Sequence, residues 1–222
     1  MNKLEDWFYN EKHRMKCYKW VHYFDIYEKH FKRFRKNKNV RILEIGVYNG
    51  GSLEMWDKYF PKSEIVGIDI NPDCLELQKN FRDNVQIVMG DQANPNFWNE
   101  FKSNHKPFDI IIDDGGHRMN QQETTFDCMF DHVTENGVFL VEDTHTSYWN
   151  HFGGGLKRAG TFIEKSKDLI DSLHVHHFKP KTEDYQDKKR IEFHSKVKCI
   201  SFYDSAVVYE KGYSDLPEAK NI

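Results

Sequence analysis

The chain predicts an α/β fold: a seven-stranded, mostly parallel sheet with helices on both faces and an antiparallel C-terminal hairpin. Three observations predict it. From Val40 onward short apolar runs alternate with amphipathic stretches, acidic residues close most of those runs, and two further apolar runs end the chain. Alternation of strand and helix implies right-handed crossovers, which make neighbouring strands parallel.

The elements follow in order. VRILEIGV reads as the first strand, with a helix over Ser52–Phe60 behind it, and EIVGIDI as the second, followed by a helix over Asp73–Phe81. VQIVMGD and a helix over Asn96–Lys102 come next, then FDIIIDD with a helix over Gln121–His132, then GVFLVED. The runs FDIII and GVFLV have the length and composition of strands buried on both faces. After Glu142 the rhythm breaks: Gly153, Gly154 and Gly155 precede TFIEKSKDLIDSLH, a helix in which Phe162, Ile163, Leu169, Ile170 and Leu173 share a buried face. The charged stretch Lys179–Arg190 reads as a surface loop. KVKCISFYD and SAVVYEKG, with a tight reversal near Asp204 and Ser205, form the hairpin.

Residues 1–39 form a helical N-terminal segment and 40–222 the main domain, a single domain overall at 222 residues. Trp20, Tyr23, Phe24, Tyr27 and Phe31 recur at helical spacing and read as a packing face, an apolar surface that a second copy would cover, so a homo-oligomer is expected. With 32 basic against 35 acidic residues and a net charge of -3, no global field recruits nucleic acid or an anionic membrane. Cys17, Cys74, Cys128 and Cys199 lack metal-ligand spacing and read as free thiols in a reducing compartment. No signal-length or membrane-spanning apolar stretch occurs, so a soluble cytoplasmic protein is expected.

Strand C-termini are where a parallel sheet binds its ligands, and there this chain gathers chemistry. Asp113, Asp114 and His117 follow the fourth strand, and Glu142 and Asp143 the fifth. Crowded carboxylates repel unless a hard cation or protons neutralise them, so the cluster calls for a divalent metal. On the other side of the crevice, Glu44 to Ser52 has the spacing E-x-G-x-x-x-G, with Gly46 and Gly50 allowing close backbone approach and Tyr48 between them. A dinucleotide fingerprint would be G-x-G-x-x-G, and the acid at Glu44 suits an ammonium rather than a phosphate. Asp69 ends the second strand, where a carboxylate accepts ribose hydroxyls. Asp91 and Gln92 follow the third, positioned for an adenine edge. Together these describe a site for a nucleoside carrying no phosphate, which S-adenosylmethionine fits.

LEIGVYNGGS, GIDI and GDQ resemble the class I S-adenosylmethionine-dependent methyltransferases, whose sheet is Rossmann-like and seven-stranded. DDGGH, VEDTHTSYW, FGGGLKR and SFYDSAVVYEKG resemble, more narrowly, the metal-dependent macrolide and sugar O-methyltransferases, the mycinamicin, tylosin and cephalosporin hydroxylase-like group. The resemblance implies magnesium on Asp114, Glu142 and Asp143 and a general base at His117. Asp113 would touch the metal, stand behind its ligands, which is the preferred reading, or approach the methionine end of the cofactor. His145 competes for the role of base, or binds substrate together with Tyr148, Trp149, Lys157 and Arg158. The implied activity is methylation of a hydroxyl on a sugar or glycan precursor, the metal lowering the hydroxyl pKa. Rival readings are a phosphate-derived or amine acceptor, a nicotinamide oxidoreductase, and a non-catalytic binding protein of the same fold.

Overall fold

The computed structural model describes residues 2–37, 39–178, 188–213 and 217–220. One sheet contains β1 (Arg41–Ile45), β2 (Glu64–Asp69), β3 (Val85–Met89), β4 (Phe108–Asp113), β5 (Val133–Val141), β6 (Val197–Tyr203) and β7 (Ala206–Lys211). Their spatial order is β3-β2-β1-β4-β5-β7-β6. β1 pairs in parallel with both β2 and β4, so the winding reverses at β1 and opens a crevice over the strand ends. β7 runs antiparallel to β5 and β6, as expected, because Tyr203 and Ala206 pair across a turn in which Ser205 sits at φ +61°.

Both faces of the sheet are apolar because period-two alternation has helices to meet on each side. Ile42, Ile110, Ile112, Val138, Leu140 and Val208 face α1 (Lys3–Asn10), α2 (Tyr23–Phe31) and α3 (Gly51–Tyr59). Leu43, Ile111, Phe139, Val141 and Val207 face α4 (Pro95–Asn104), α5 (Met119–Met129) and α6 (Phe162–Asp168). Asn94 starts α4 by accepting from the Asn96 amide, with Pro95 at the first helical position. α7 (Lys188–His194) precedes β6.

The aromatic stripe packs inward rather than outward. Tyr23, Phe24, Tyr27 and Phe31 are buried against the chain's own sheet and α3, and Trp20 is 48% exposed just outside α2. The surface on which a second copy was expected to dock is therefore already covered, which removes the reason for expecting a homo-oligomer. Three element expectations also change. The segment expected as a helix over Asp73–Phe81 is a 3-10 run, Pro72–Asn80. The helix expected over Thr161–His174 stops at Asp168, a second 3-10 run following from Asp171, so Ile170 stays 37% exposed instead of joining Phe162 and Ile163 in the core. In the stretch expected as a loop, Lys188, Lys189 and Arg190 open α7, and 179–187 lie outside the described residues.

Candidate active site

Over the strand ends lies a cavity of about 420 Å³. Its floor is built by backbone geometry. Gly46 sits at φ +98°, and a Cβ there would lie 2.0 Å from the Asp114 carbonyl oxygen, so only glycine lets the β1 and β4 loops cross. Asp69 Oδ2 accepts from the amides of Val47 and Tyr48, both at 2.9 Å, and Oδ1 from Asn71, which fixes the glycine loop over the end of β2.

Of the residues expected to hold a cofactor, Gly46, Tyr48, Ser52, Asp69, Asp91 and Gln92 line the cavity. Gln92 does so with its amide turned inward. It donates to Asp113 Oδ1 and Thr125 Oγ1, both at 3.0 Å, and accepts from the Gly116 amide at 2.7 Å, so it organises the DDGGH loop rather than offering its side chain to an adenine. Asp113 is fully buried beneath that loop, where burial pushes its carboxyl up to about 7. Its Oδ1 accepts from Gln92 and from the Gly115 amide, so it is tied to the DDGGH loop. Glu44 and Gly50 are not in the cavity wall: Glu44 is buried and meets an ammonium, but that of Lys19, at 3.4 Å, and Gly50 caps α3 at φ +77°.

Lys19 is the group the sequence did not reveal. Its ammonium donates to Asp114 Oδ2 at 2.6 Å and to the two Glu142 oxygens at 3.1 and 3.0 Å, besides Glu44. Burial alone would lower its pKa, but Asp114 and Glu142 outweigh it and hold Lys19 charged, well above the usual lysine range. Glu142, also fully buried, accepts from the Tyr27 hydroxyl at 2.5 Å, and burial beside Asp114 raises its pKa despite Lys19. The available signal was the cluster's own charge: several buried carboxylates demand a cation, and Lys19 lies in an aromatic segment with a face to bury.

On the outer side Asp114, His117 and Asp143 offer ligand atoms within 4.8 Å of one another. His117 Nε2 lies 3.4 Å from Asp143 Oδ2 and 3.9 Å from Asp114 Oδ1. His117 and Asp143 both hold positive φ, at 56° and 51°, conformations that non-glycine residues adopt at a cost and that aim these side chains at one point. Tyr23 braces Asp143, donating to its Oδ1 at 2.8 Å. His145 stands outside the cavity wall, with Nδ1 on the Ser205 hydroxyl and 3.9 Å from Asp143 Oδ1, and its ring edge-on to Trp149 at 4.5 Å. Tyr148, Trp149, Lys157 and Arg158, expected to bind substrate, are likewise outside the cavity wall, and Arg158 donates to the Gly154 carbonyl. Lys16, Tyr18, Lys19, Trp20 and Tyr23 supply one wall instead.

Residues 43–144 match the family model described as a methyltransferase domain. The chain carries a methyltransferase domain. That domain spans β1 to β5 and the residues that follow their ends. The chain is 34% identical over 205 residues to the mycinamicin VI 2''-O-methyltransferase of Micromonospora griseorubida, covering 85% of this chain and 48% of that protein. It is 37% identical to the demethylmacrocin O-methyltransferase of Streptomyces fradiae over 70% of this chain and 41% of the relative. Among solved structures, the MycE methyltransferase of the mycinamycin biosynthetic pathway, in complex with Mg, SAH and mycinamycin VI, superposes with a TM-score of 0.75 at 31% identity, covering 86% of this chain and 49% of MycE. The methyltransferase domain and its flanks thus span about half the length of the curated relatives they match. No helix among the described residues is long and apolar enough to cross a membrane.

Proposed function

We propose that this chain is an S-adenosylmethionine-dependent, magnesium-dependent O-methyltransferase acting on a hydroxyl of a sugar or glycosylated small molecule. The observation that carries this is the division of one cavity: Asp69 and Asp91 at the ends of β2 and β3 on one side, and Asp114, His117 and Asp143 converging on the other. The matched relatives, named for O-methylation of macrolides, and the MycE complex with Mg, SAH and mycinamycin VI support it.

The donor set fits a hard divalent cation. Asp114 and Asp143 offer carboxylate oxygens at the outer end, and Glu142, the third carboxylate of the expected set, stands behind them toward Lys19. Bound there, the ion would supply Lewis acidity that makes an acceptor hydroxyl easier to deprotonate. The glycine loop and Asp69 hold the nucleoside of the methyl donor, and Asp113 and Gln92 keep the DDGGH loop in place. His117 Nε2 takes the hydroxyl proton as the acceptor oxygen bonds to the methyl carbon, the carbon–sulfur bond breaks, and S-adenosylhomocysteine remains. His145, outside the cavity wall with Nδ1 on Ser205, is the alternative base.

Calorimetry with S-adenosylmethionine, with and without magnesium, followed by methyl transfer from labelled donor to a panel of glycosylated macrolides, nucleotide sugars and amines, tests the reading. Donor binding and magnesium-dependent transfer to a sugar hydroxyl are expected. Failure to bind the donor would overturn the proposal, and transfer to an amine would replace its acceptor.

A further inference from the structure

The cavity wall carries Asp69, Asp91, Asp114, Glu142 and Asp143, and against them, among the described residues, the lysines Lys16 and Lys19 and no arginine. Lys19 is committed, its ammonium donating to Glu44, Asp114 and Glu142. Lys16 is exposed, and its ammonium meets no partner among the described residues. Its backbone, by contrast, is tightly held. Glu54 of α3, 2% exposed, accepts from the amides of Arg14 and Met15 at 3.1 and 3.0 Å and from Arg14 Nε at 3.0 Å, which clips the chain just before Lys16 to the helix. A Cβ on Gly51 would collide with the Lys16 carbonyl oxygen and the Cys17 backbone, so the segment crosses the first turn of α3 at an approach that only glycine permits. A fixed backbone thus presents one uncommitted cation in the wall of an acidic cavity.

S-adenosylmethionine carries a sulfonium, an ammonium and a carboxylate. The two cationic groups suit a wall of acids, whereas the carboxylate is repelled by it unless a cation stands close. With the nucleoside at Asp69 and Asp91 and the methyl group toward Asp114, His117 and Asp143, the amino-acid end is left to the wall made by Lys16, Tyr18 and Gly51. We propose that Lys16 pairs with the carboxylate of the methyl donor and so selects a donor that retains it. Lys19 does not serve here, because its ammonium is already engaged with three carboxylates of the protein. This inference rests on the donor-binding reading above.

The test is calorimetry of the whole chain with S-adenosylmethionine and with its decarboxylated form, on the parent, Lys16→Met and Lys16→Arg. The two ligands share the nucleoside, the sulfonium and the ammonium and differ only in the carboxylate. Lys16→Met is expected to bind S-adenosylmethionine about tenfold more weakly, because a charge-assisted contact has gone. Its affinity for the decarboxylated form should hold or rise, since a cation that repels this ligand has gone with it. Lys16→Arg keeps the charge and should stay within about threefold of the parent on both. A merely structural lysine would change both affinities alike. An unchanged ratio of the two affinities in Lys16→Met, whether both hold or both fall, overturns the role of Lys16 and leaves the donor reading standing. A parent that binds neither ligand overturns the donor reading as well.

Discussion

At the residue scale the site depends on positions that tolerate little change. Gly46 combines φ +98° with a backbone oxygen where a Cβ would stand, so Gly46→Ala is expected to destabilise the fold by about 2–3 kcal/mol and to impair donor binding, measurable by urea unfolding and calorimetry. A midpoint equal to that of the parent would show that the loop crossing relaxes freely. The two histidines differ in what holds them: His117 faces Asp114 and Asp143 in the cavity wall, and His145, outside that wall, is bonded to Ser205 with Asp143 Oδ1 3.9 Å away. His117→Ala should lower kcat by about 100-fold or more, and His145→Ala by only a few-fold. Reversal of that order would reassign the base. Asp114 and the acidic pair were legible from the sequence because they end apolar runs, and run ends locate strand ends. Lys19 was not legible, since its partners lie 25, 95 and 123 positions away in the chain.

At the element scale α2 links core and site. Tyr27 and Phe31 stack with centroids 5.8 Å apart and both meet Trp56 of α3, at 5.1 and 5.8 Å, so one face of α2 locks to α3. Phe31→Ala is expected to cost about 3–5 kcal/mol by leaving a cavity among these rings, a loss that thermal unfolding would report. Tyr27→Phe keeps the ring and removes only the hydrogen bond to Glu142, so it should cost about 1–3 kcal/mol while leaving far-ultraviolet dichroism unchanged. Equal costs for the two variants would show that packing and the buried hydrogen bond are not separable on this helix. The helical spacing of Tyr23, Phe24, Tyr27 and Phe31 was readable as a buried face. What it faces was not, because periodicity reports that a side of a helix is apolar and carries no address for the surface that covers it.

At the scale of the whole molecule, titration connects separate parts of the fold. His30, His105, His132 and His194 are all held below the ordinary imidazole value of 6.5, first by burial, and in His30 against the pull of Glu210. A lowered folded pKa means these rings fold neutral. The stability they contribute is present above their ordinary value and lost as pH falls through the lowered ones. Between about pH 7.5 and 5, the double variant His105→Gln/His132→Gln should therefore lose less stability than the parent, as compared by urea midpoints at each pH. A parent and variant with parallel profiles would contradict that.

The sequence by itself determined the sheet, its parallel strands and closing hairpin, and which strand ends carry acid, because apolar period and turn chemistry are local properties of the chain. It also placed Asp69, Asp91, Asp114, His117 and Asp143 around one crevice, since strand alternation fixes the end to which each belongs. Tertiary structure alone decided that Lys19 meets Glu44, Asp114 and Glu142, that Gln92 and Asp113 are bonded to each other beneath the DDGGH loop, and that the aromatic N-terminal stripe covers this chain's own sheet. Those outcomes turn on charge balance and packing between residues far apart in sequence, where the pairing exists only once the chain has closed.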